Sequence, residues 1–354
     1  MFQIRSIEHG GKELTIQQAA RLLEGPNRTE RQAVWEKIVQ RRLQDREKLD
    51  EIMDKLVDLR HQIAQNADFG SFTDYQYQAL GRFDYGREAV AGFHQAVEEA
   101  VKPFLAELHE ERRQRLGLDA LRPWDLAVDV WGDAPLQPFG TAQELMQGSL
   151  RVMRRLKPEL ADMLQRMDEM GHLDLESRKG KAAGGYNYPL LETGVPFIFM
   201  NAVGSQGDLT TLVHEAGHAI HAFETQSLEL NADKDVPSEV AELASMAFEL
   251  LTMPYWDEFY QDETALRRAR IQQVTRTISI LPWIATVDAF QTWLYDNPQH
   301  TQAERTQACL ATYNLFHPQD IDFSGWEVAK DIRWQQQGHI YDVPFYYIEY
   351  GMAQ

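Results

Sequence analysis

Apolar residues recur at intervals of three and four along most of the chain, the period of a helix with one buried face. From about 27 to 66 no glycine or proline interrupts the pattern. Val34, Trp35, Ile38, Leu49, Ile52, Met53, Leu56, Val57 and Ile63 carry its apolar side. The spacing predicts further helices over 15–24, 87–116 and 141–171. Thr15 with Gln18 three residues on reads as a capping box, and Gly25-Pro26 stops that helix. Asn27 or Thr29 caps the next one. Pro103 predicts a kink or break within 87–116. Pro123, Pro135 and Pro138, set among Asp and Gly, make 121–140 a loop. After Gly207 the pattern is helical almost to the end, punctuated by Pro237, Pro254, Pro282, Pro298, Pro318 and Pro344.

Strand character is confined to 184–201. Pro196 to Asn201 is short, apolar and aromatic; Gly184-Gly185-Tyr186-Asn187-Tyr188 precedes it, with a turn near Glu192-Thr193-Gly194. Two short strands in a hairpin fit this pattern. The fold class expected is mainly α, with a small β-hairpin or sheet. No internal repeat or long linker is visible. The loop near 121–140 is the best candidate boundary. It divides a helical region, 1–120, from a region 121–354, with one continuous domain as the alternative.

Composition narrows the class. The 354 residues are 44% hydrophobic, 10% aromatic and 25% charged, which suits a soluble globular protein with a large core. The 35 basic and 54 acidic residues leave a net charge of −19. That argues against nucleic acid or an anionic membrane surface as a partner, since both are polyanions. The single cysteine, Cys309, forms no internal disulfide. Residues 1–5 lack the basic-then-apolar run of a signal peptide, and no stretch of 18 apolar residues occurs. The expectation is a cytoplasmic soluble protein.

The chemistry concentrates in Leu212-Val213-His214-Glu215-Ala216-Gly217-His218-Ala219-Ile220-His221. It follows the strand and begins after a cap expected at Asp208. On a helix, His214 and His218 lie one turn apart on the same face, so both imidazoles can meet one metal ion. Glu215 projects beside the first histidine, where a carboxylate can take a proton from a metal-bound water. Zinc fits such donors, leaving an open tetrahedral position, and manganese or cobalt would meet the same set. The plain alternative is two histidines satisfied within a helical core. His221 continues the face but sits two turns from His214, roughly 10 Å by helix rise. A carboxylate from a second helix is the better third donor. Residues 237–249 form such a helix, with Glu239, Glu242 and Glu249 as candidates. Glu242 has a modest lead because Val240, Ala241, Leu243 and Ala244 surround it and a carboxylate in that run needs a partner.

These blocks together resemble the thimet oligopeptidase and oligoendopeptidase F family of zinc metallopeptidases, and most of all its oligoendopeptidase F branch. The His-Glu-x-Gly-His-x-x-His core is similar to 214–221. Val240-Ala241-Glu242-Leu243-Ala244-Ser245 is similar to the family's third-ligand helix, with Glu242 28 residues after His214. Arg178-Lys179-Gly180-Lys181, Gly184-Gly185-Tyr186 and Phe197-Ile198-Phe199-Met200-Asn201 resemble its upstream strand block. His339 and Pro344-Phe345-Tyr346-Tyr347-Ile348-Glu349-Tyr350 resemble its C-terminal His and tyrosine cluster.

The resemblance implies a large helical zincin-type peptidase with a deep channel, 1–120 forming part of its wall and 121–354 its zinc-binding catalytic region. It implies one zinc per chain on His214, His218 and Glu242, with Glu215 as general base and then acid and His221 not a ligand. His339, Tyr346, Tyr347 and Tyr350 are catalytic candidates. A tyrosine hydroxyl would donate to the oxyanion, the plain alternative being an aromatic packing stripe. The alignment slips by one between Tyr346 and Tyr347 and leaves that choice open. Gly184, Gly185 and Tyr186 are candidate substrate-binding residues, since a glycine-rich edge can pair with an extended peptide. The alternative there is a hairpin that merely covers the helix. Family members are usually longer, so the resemblance also leads to the expectation that the N-terminal region is missing.

The function expected is hydrolysis of internal bonds in short unfolded oligopeptides. An exopeptidase on the same core would need a basic grip on a terminal carboxylate, for which Arg178, Lys181 and Arg333 are candidates. An inactive peptide-binding fragment is the third reading.

Overall fold

Helices form where the apolar spacing predicts them, and several begin at a side-chain cap, among them those capped by Thr15, Asn27, Ser71, Thr141, Ser205 and Thr301. The computed structural model describes residues 5–354, so most of the leader-peptide reading, at 1–4, lies outside the described residues. The chain is mainly helical and divides by its contacts into two units. The first comprises 1–25, 134–276 and 353–354, and the second 26–133 and 277–352. This differs from the division at residue 120 suggested by the proline-rich loop. The physical reason lies in long-range pairs inside the second unit. Arg60 donates to Tyr295 Oη at 2.8 Å, Tyr295 packs on Phe72 at 4.8 Å, and Arg305 bonds Asp50 and Asp54. The chain leaves this unit and returns to it 143 residues later, which local composition cannot reveal.

In the first unit, strands β1 (Ser6–His9) and β2 (Lys12–Thr15) form an antiparallel hairpin that the hydrophobic pattern did not announce. Gly10 and Gly11, both at positive φ, make its turn. Thr15 then caps the helix Ile16–Leu22 in the expected capping box with Gln18. Helices Ala142–Leu156 and Pro158–Glu169 follow, the former capped by Thr141. A three-stranded sheet comes next: β3 (Leu173–Glu176), β4 (Tyr186–Tyr188) and β5 (Phe197–Ala202), in the order β3-β5-β4. The expected hairpin is β4 against β5, with Tyr186 opposite Phe199. The parallel strand β3 is an addition; four residues carry too little alternation to be read. The helices Gln206–Glu224 and Ser238–Thr252 and most of the helix Glu263–Ser279 complete the unit. Its core joins Leu145, Leu150, Ile198, Met200, Leu212 and Trp256, among others, so the sheet and the helix Gln206–Glu224 share one apolar interior.

The second unit is helical. Helices Arg28–Leu43 and Arg46–Asn66 split what the pattern presents as one, the break falling at Gln44 and Asp45. Asn27 is the cap of the former, its side chain accepting from the Glu30 N–H. Pro103 neither breaks nor ends its helix. A π-helical turn, Val97–Val101, joins Arg87–Ala96 to Lys102–Arg115, and this wider turn accommodates the proline's missing N–H. The segment 121–140 is largely loop, as expected, but Trp124 and Asp125 in it are buried. Among the described residues, no helix is long and apolar enough to cross a membrane. Cys309 is buried and free.

Asp125 holds that loop. Arg28 donates to both its oxygens at 2.9 and 2.8 Å, Arg31 to one at 3.0 Å, and the Arg122 N–H to the other at 3.0 Å. Burial alone would raise its pKa, but these donors together hold it below the usual carboxylate value. Its contribution to stability is therefore complete above the unfolded-state pKa and is lost as pH falls through the lower folded-state value. Asp125→Asn should cost about 3 kcal/mol at neutral pH, because it leaves a buried guanidinium without its charge partner. Urea denaturation should show that gap in full at pH 7 and a gap that shrinks as the pH is lowered from the unfolded-state pKa through the folded-state value. An equal gap at every pH would mean that charge pairing is not the cause.

Candidate functional site

The helix Gln206–Glu224 starts one turn earlier than a cap at Asp208 would place it. Ser205 is the cap, its hydroxyl accepting from the Asp208 N–H at 3.1 Å. Asp208 returns the favour as the third helical residue, accepting from the N–H groups of Ser205 and Val203 at 2.8 Å each. This sets the helix phase and aims His214 and His218 at the helix Ser238–Thr252. Their rings stand 4.9 Å apart and nearly perpendicular. Glu242 Oε2 lies 3.3 Å from His214 Nε2 and 3.6 Å from His218 Nε2. Donor atoms of the three residues all lie within 4.8 Å of one another, and among the described residues this is the group that could hold a metal ion. Neither His221 nor Glu239 joins it.

The approach of these two helices depends on Gly217. A Cβ there would come within 2.7 Å of Ser245 Cα and 3.0 Å of both Ala244 O and Phe248 Cβ. Only a glycine lets the backbones close to a distance at which Glu242 reaches both imidazoles. Ser245 Oγ donates to Glu242 Oε2 at 3.0 Å and keeps the carboxylate, only 1% exposed, in place.

The donor set suits a divalent cation such as zinc. Burial pushes His218 down to about 4, so its imidazole is neutral, as a ligand must be. At His214, burial also lowers the pKa, but the hydrogen bonds to Glu242 and Glu249 outweigh it and raise it to about 10. Surrounded by these carboxylates, the site favours positive charge. Glu215 is buried beside it, its Oε2 without a hydrogen-bond partner. Burial, reinforced by the negative Glu242, raises its pKa to about 7 against the opposing pull of His214.

Glu249, one of the three carboxylates of its helix that could serve as a third donor, lies behind His214 instead. Its Oε1 lies 2.8 Å from His214 Nδ1, the ring atom opposite the one that faces Glu242. Gln273 donates to Glu249 Oε2 at 2.6 Å, and Thr210 donates to Gln273 Oε1 at 2.9 Å. A carboxylate behind a ligating imidazole fixes its orientation and raises its basicity. The signal for Glu249 was present: it stands seven residues after Glu242, two turns on along the same face. Gln273 and Thr210 carried no such signal.

The glycine-rich segment lies over Glu215. A Cβ on Gly185 would be 3.3 Å from Glu215 Oε1 and 3.1 Å from Thr211 Cγ2. The Asn187 backbone N–H donates to the Glu215 carboxylate. Asn201 Nδ2 donates to the carbonyls of Ala182 and Gly184 at 2.9 Å each, pinning the loop before β4. Tyr186 stacks on Phe199 at 4.9 Å, and β4 is an edge strand of its sheet.

The C-terminal candidates meet one another in the second unit. Tyr346, Tyr347 and Tyr350 have ring centroids 6.0, 5.1 and 5.9 Å from that of His339, and His339 Nε2 lies 3.2 Å from Tyr350 Oη. Two buried arginines hold the backbone that carries them. Arg60 donates to the carbonyls of Ile340 and Tyr341, and Arg82 to Phe345 O and to Glu349. Phe345 itself adopts φ 65°, a left-handed conformation that an aromatic residue rarely takes.

Of the three basic candidates for a terminal carboxylate, Arg178 and Lys181 are engaged elsewhere. Arg178 makes a bidentate pair with Asp174 at 2.6 and 2.8 Å. Lys181 is buried, donating to Asp174, Glu176 O and Met200 O between β3 and β5. Arg333 stacks over Trp283 and Tyr313.

The chain is mainly helical and sets two histidines of one helix and a carboxylate of the next together as a group that could hold a metal ion, and the comparisons place it in a family of peptidases. Residues 21–354 match Peptidase family M3, and the chain belongs to that family. It is 28% identical over 200 residues to oligopeptidase PepF of Bacillus subtilis, covering 54% of this chain and 29% of that one. It is 26% identical over 251 residues to an oligoendopeptidase F homolog of Mycoplasma genitalium, covering 68% of this chain and 39% of that one. Among solved structures, PZ peptidase A with inhibitor 2 is similar at a TM-score of 0.93 and 34% identity, covering 98% of this chain and 61% of that one. A putative oligoendopeptidase F from Bacillus anthracis superposes at 0.86 with 28% identity, covering 98% and 59%. The chain thus spans less than two thirds of the length of these relatives.

Gly217→Ala should force the two helices apart or strain them, lowering stability by about 1–3 kcal/mol. Thermal denaturation of the native and variant chains checks this. Equal midpoints would mean that the helix contact is looser than described.

Proposed function

We propose that this chain is a zinc-dependent peptidase that cleaves internal bonds of short, unfolded oligopeptides. The observation that carries the reading is the convergence of His214, His218 and Glu242 beside the buried, partly unpartnered carboxylate of Glu215. His214 and His218 would hold the ion through Nε2 and Glu242 through Oε2. When bound, zinc supplies a Lewis acid and lowers the pKa of a coordinated water toward neutrality.

The chain's own residues then have distinct tasks. Glu215, with a pKa near 7, accepts a proton at its carboxylate and returns it to the leaving amine. Glu249, held by Gln273, keeps the His214 ring turned with Nε2 toward Glu242. The edge strand β4, with Gly184, Gly185 and Tyr186 at its start, offers its free side to an extended peptide by strand addition. The resemblance carries the oxyanion donor to the cluster of His339, Tyr346, Tyr347 and Tyr350, and we assign it to Tyr350, whose hydroxyl lies 3.2 Å from His339 Nε2. Oligopeptides are the proposed substrates. The bidentate ion pair of Arg178 and the burial of Lys181 favour internal cleavage over an exopeptidase reading, because neither is left to grip a terminal carboxylate.

The purified chain loaded with zinc should cleave a mixed peptide library internally, as read by mass spectrometry, and Glu215→Gln should not. Release of terminal residues alone would favour an exopeptidase. No cleavage by a folded protein that retains stoichiometric zinc would favour a peptide-binding role. Tyr350→Phe should lower kcat by about a hundredfold or more with little change in KM. Kinetics on a single cleaved peptide test this, and an unchanged kcat would remove Tyr350 from the assignment.

A further inference from the structure

The two faces of the small sheet differ along β4 and β5. Ile198 and Met200 are buried in the core of the first unit, and Asn187 pairs with Ile198 on that inner side. Residues one place along point to the opposite face, because side chains alternate on a strand. That outer face carries four aromatic rings in two cross-strand pairs, Tyr186 opposite Phe199 and Tyr188 opposite Phe197. Tyr186 stacks on Phe199 with 13° between the ring planes, yet it is 46% exposed, and Tyr188 is 60% exposed. Rings this open, side by side on one face, form a patch of the kind that marks a binding surface.

The backbone of β4 ties the patch to the chemistry. In an antiparallel pair, residues alternate between those that bond the partner strand and those whose N–H and C=O point to the other side. The Asn187 N–H donates to the Glu215 carboxylate, so Asn187 is of the second kind and its polar groups face the open edge. Glu215 is thus moored on the edge that an added strand would occupy. A peptide laid along β4 sets one residue opposite Asn187, and that residue contributes one side of the cut bond. Its two neighbours fall opposite Tyr186 and Tyr188, with their side chains on the outer face. Whichever way the peptide runs, these two positions are two residues apart and lie one on each side of the cut bond.

We propose that Tyr186 and Tyr188 are specificity-determining residues that select bulky apolar or aromatic side chains at two substrate positions straddling the cut bond. This rests on the reading that a peptide joins the β4 edge beside Glu215. Aromatic rings can also draw a cation. Here Lys181 Nζ already lies 4.4 Å from the Phe199 ring centroid and sets a positive charge behind the wall. Lysine and arginine are thereby disfavoured, and leucine, methionine, phenylalanine and tyrosine are the side chains that gain by contact with the rings.

Cleavage-site mapping of a mixed peptide library by the zinc-loaded native chain should show apolar enrichment at two positions, two residues apart, that straddle the cut. Peptides differing only as Phe or Ala at each position should then differ in kcat/KM by about three- to tenfold. Tyr188→Thr keeps strand propensity and should bring that ratio to about one at a single position; Tyr186→Thr should do so at the other. Tyr188→Phe should retain the selection. A merely structural role would change the rate on all peptides together and leave both ratios as they were. Tyr188→Thr carries the test if Tyr186→Thr does not fold, because Tyr188 is the more exposed ring. The same peptides, fluorescently labelled and titrated into the Glu215→Gln chain with and without Tyr188→Thr, read the preference as affinity. A native ratio near one, ratios unaltered in both threonine variants, or enrichment of lysine, arginine or small residues would overturn the assignment. No cleavage by the native chain, with a Phe-over-Ala affinity ratio that Tyr188→Thr abolishes, would sink the peptidase reading and leave the aromatic wall as a peptide-binding surface. No cleavage and no affinity ratio would sink both.

Discussion

The first unit depends on how closely two helices can approach. His214 and His218 stand on one helix and Glu242 on another, and their donor atoms meet only because Gly217 presents no Cβ to Ala244 and Ser245. Small residues on both sides convert a chain separation of 28 residues into contacts of 3.3 and 3.6 Å. A larger residue would move Glu242 out of reach before it changed anything else. The glycine within the His-Glu-x-Gly-His run is thus a packing requirement imposed by the neighbouring helix.

Around that contact the site is built in shells that differ in what they do. Ser245 fixes Glu242, and Glu249 with Gln273 and Thr210 fixes His214 from behind. Gly185 and the Asn187 N–H press on Glu215 from the side of the sheet. Burial raises the Glu215 pKa while it lowers that of His218, so the same dry environment leaves one group ready to take a proton and the other without one. Glycine serves on both faces of the helix: Gly217 against a helix, and Gly185 against a carboxylate.

The second unit handles its aromatic cluster differently. The segment carrying Tyr346 and Tyr347 is irregular, with Phe345 in a left-handed conformation, and leads into the short helix Glu349–Ala353 that carries Tyr350. Its shape is imposed by Arg82, which meets Phe345 O and Glu349, and by Gln291, whose Oε1 accepts from the Phe345 N–H at 3.3 Å. Buried guanidinium groups that satisfy backbone carbonyls can hold a strained turn that no local propensity would favour.

Much of this was legible in the chain. The helical class, the hairpin β4–β5, the caps at Thr15 and Asn27, and the metal-donor pattern all follow from spacings of one to four residues, which is the range over which a backbone repeats itself. Glu242 could be favoured because a carboxylate among apolar neighbours requires a partner. The hairpin β1–β2, the strand β3 and the π-helical turn before Pro103 were not legible, since each is too short to show a period or is a local accommodation. Nor was the division into units, because residues 277–352 join 26–133 through contacts that no window of sequence contains. The sequence by itself determined which residue types stand at helical spacing and hence which atoms share a face. Only the tertiary structure decided which faces meet, that Glu249 turns to His214 Nδ1, and that the Asn187 N–H meets Glu215, because those choices are made by packing and by hydrogen-bond partners far apart in the chain.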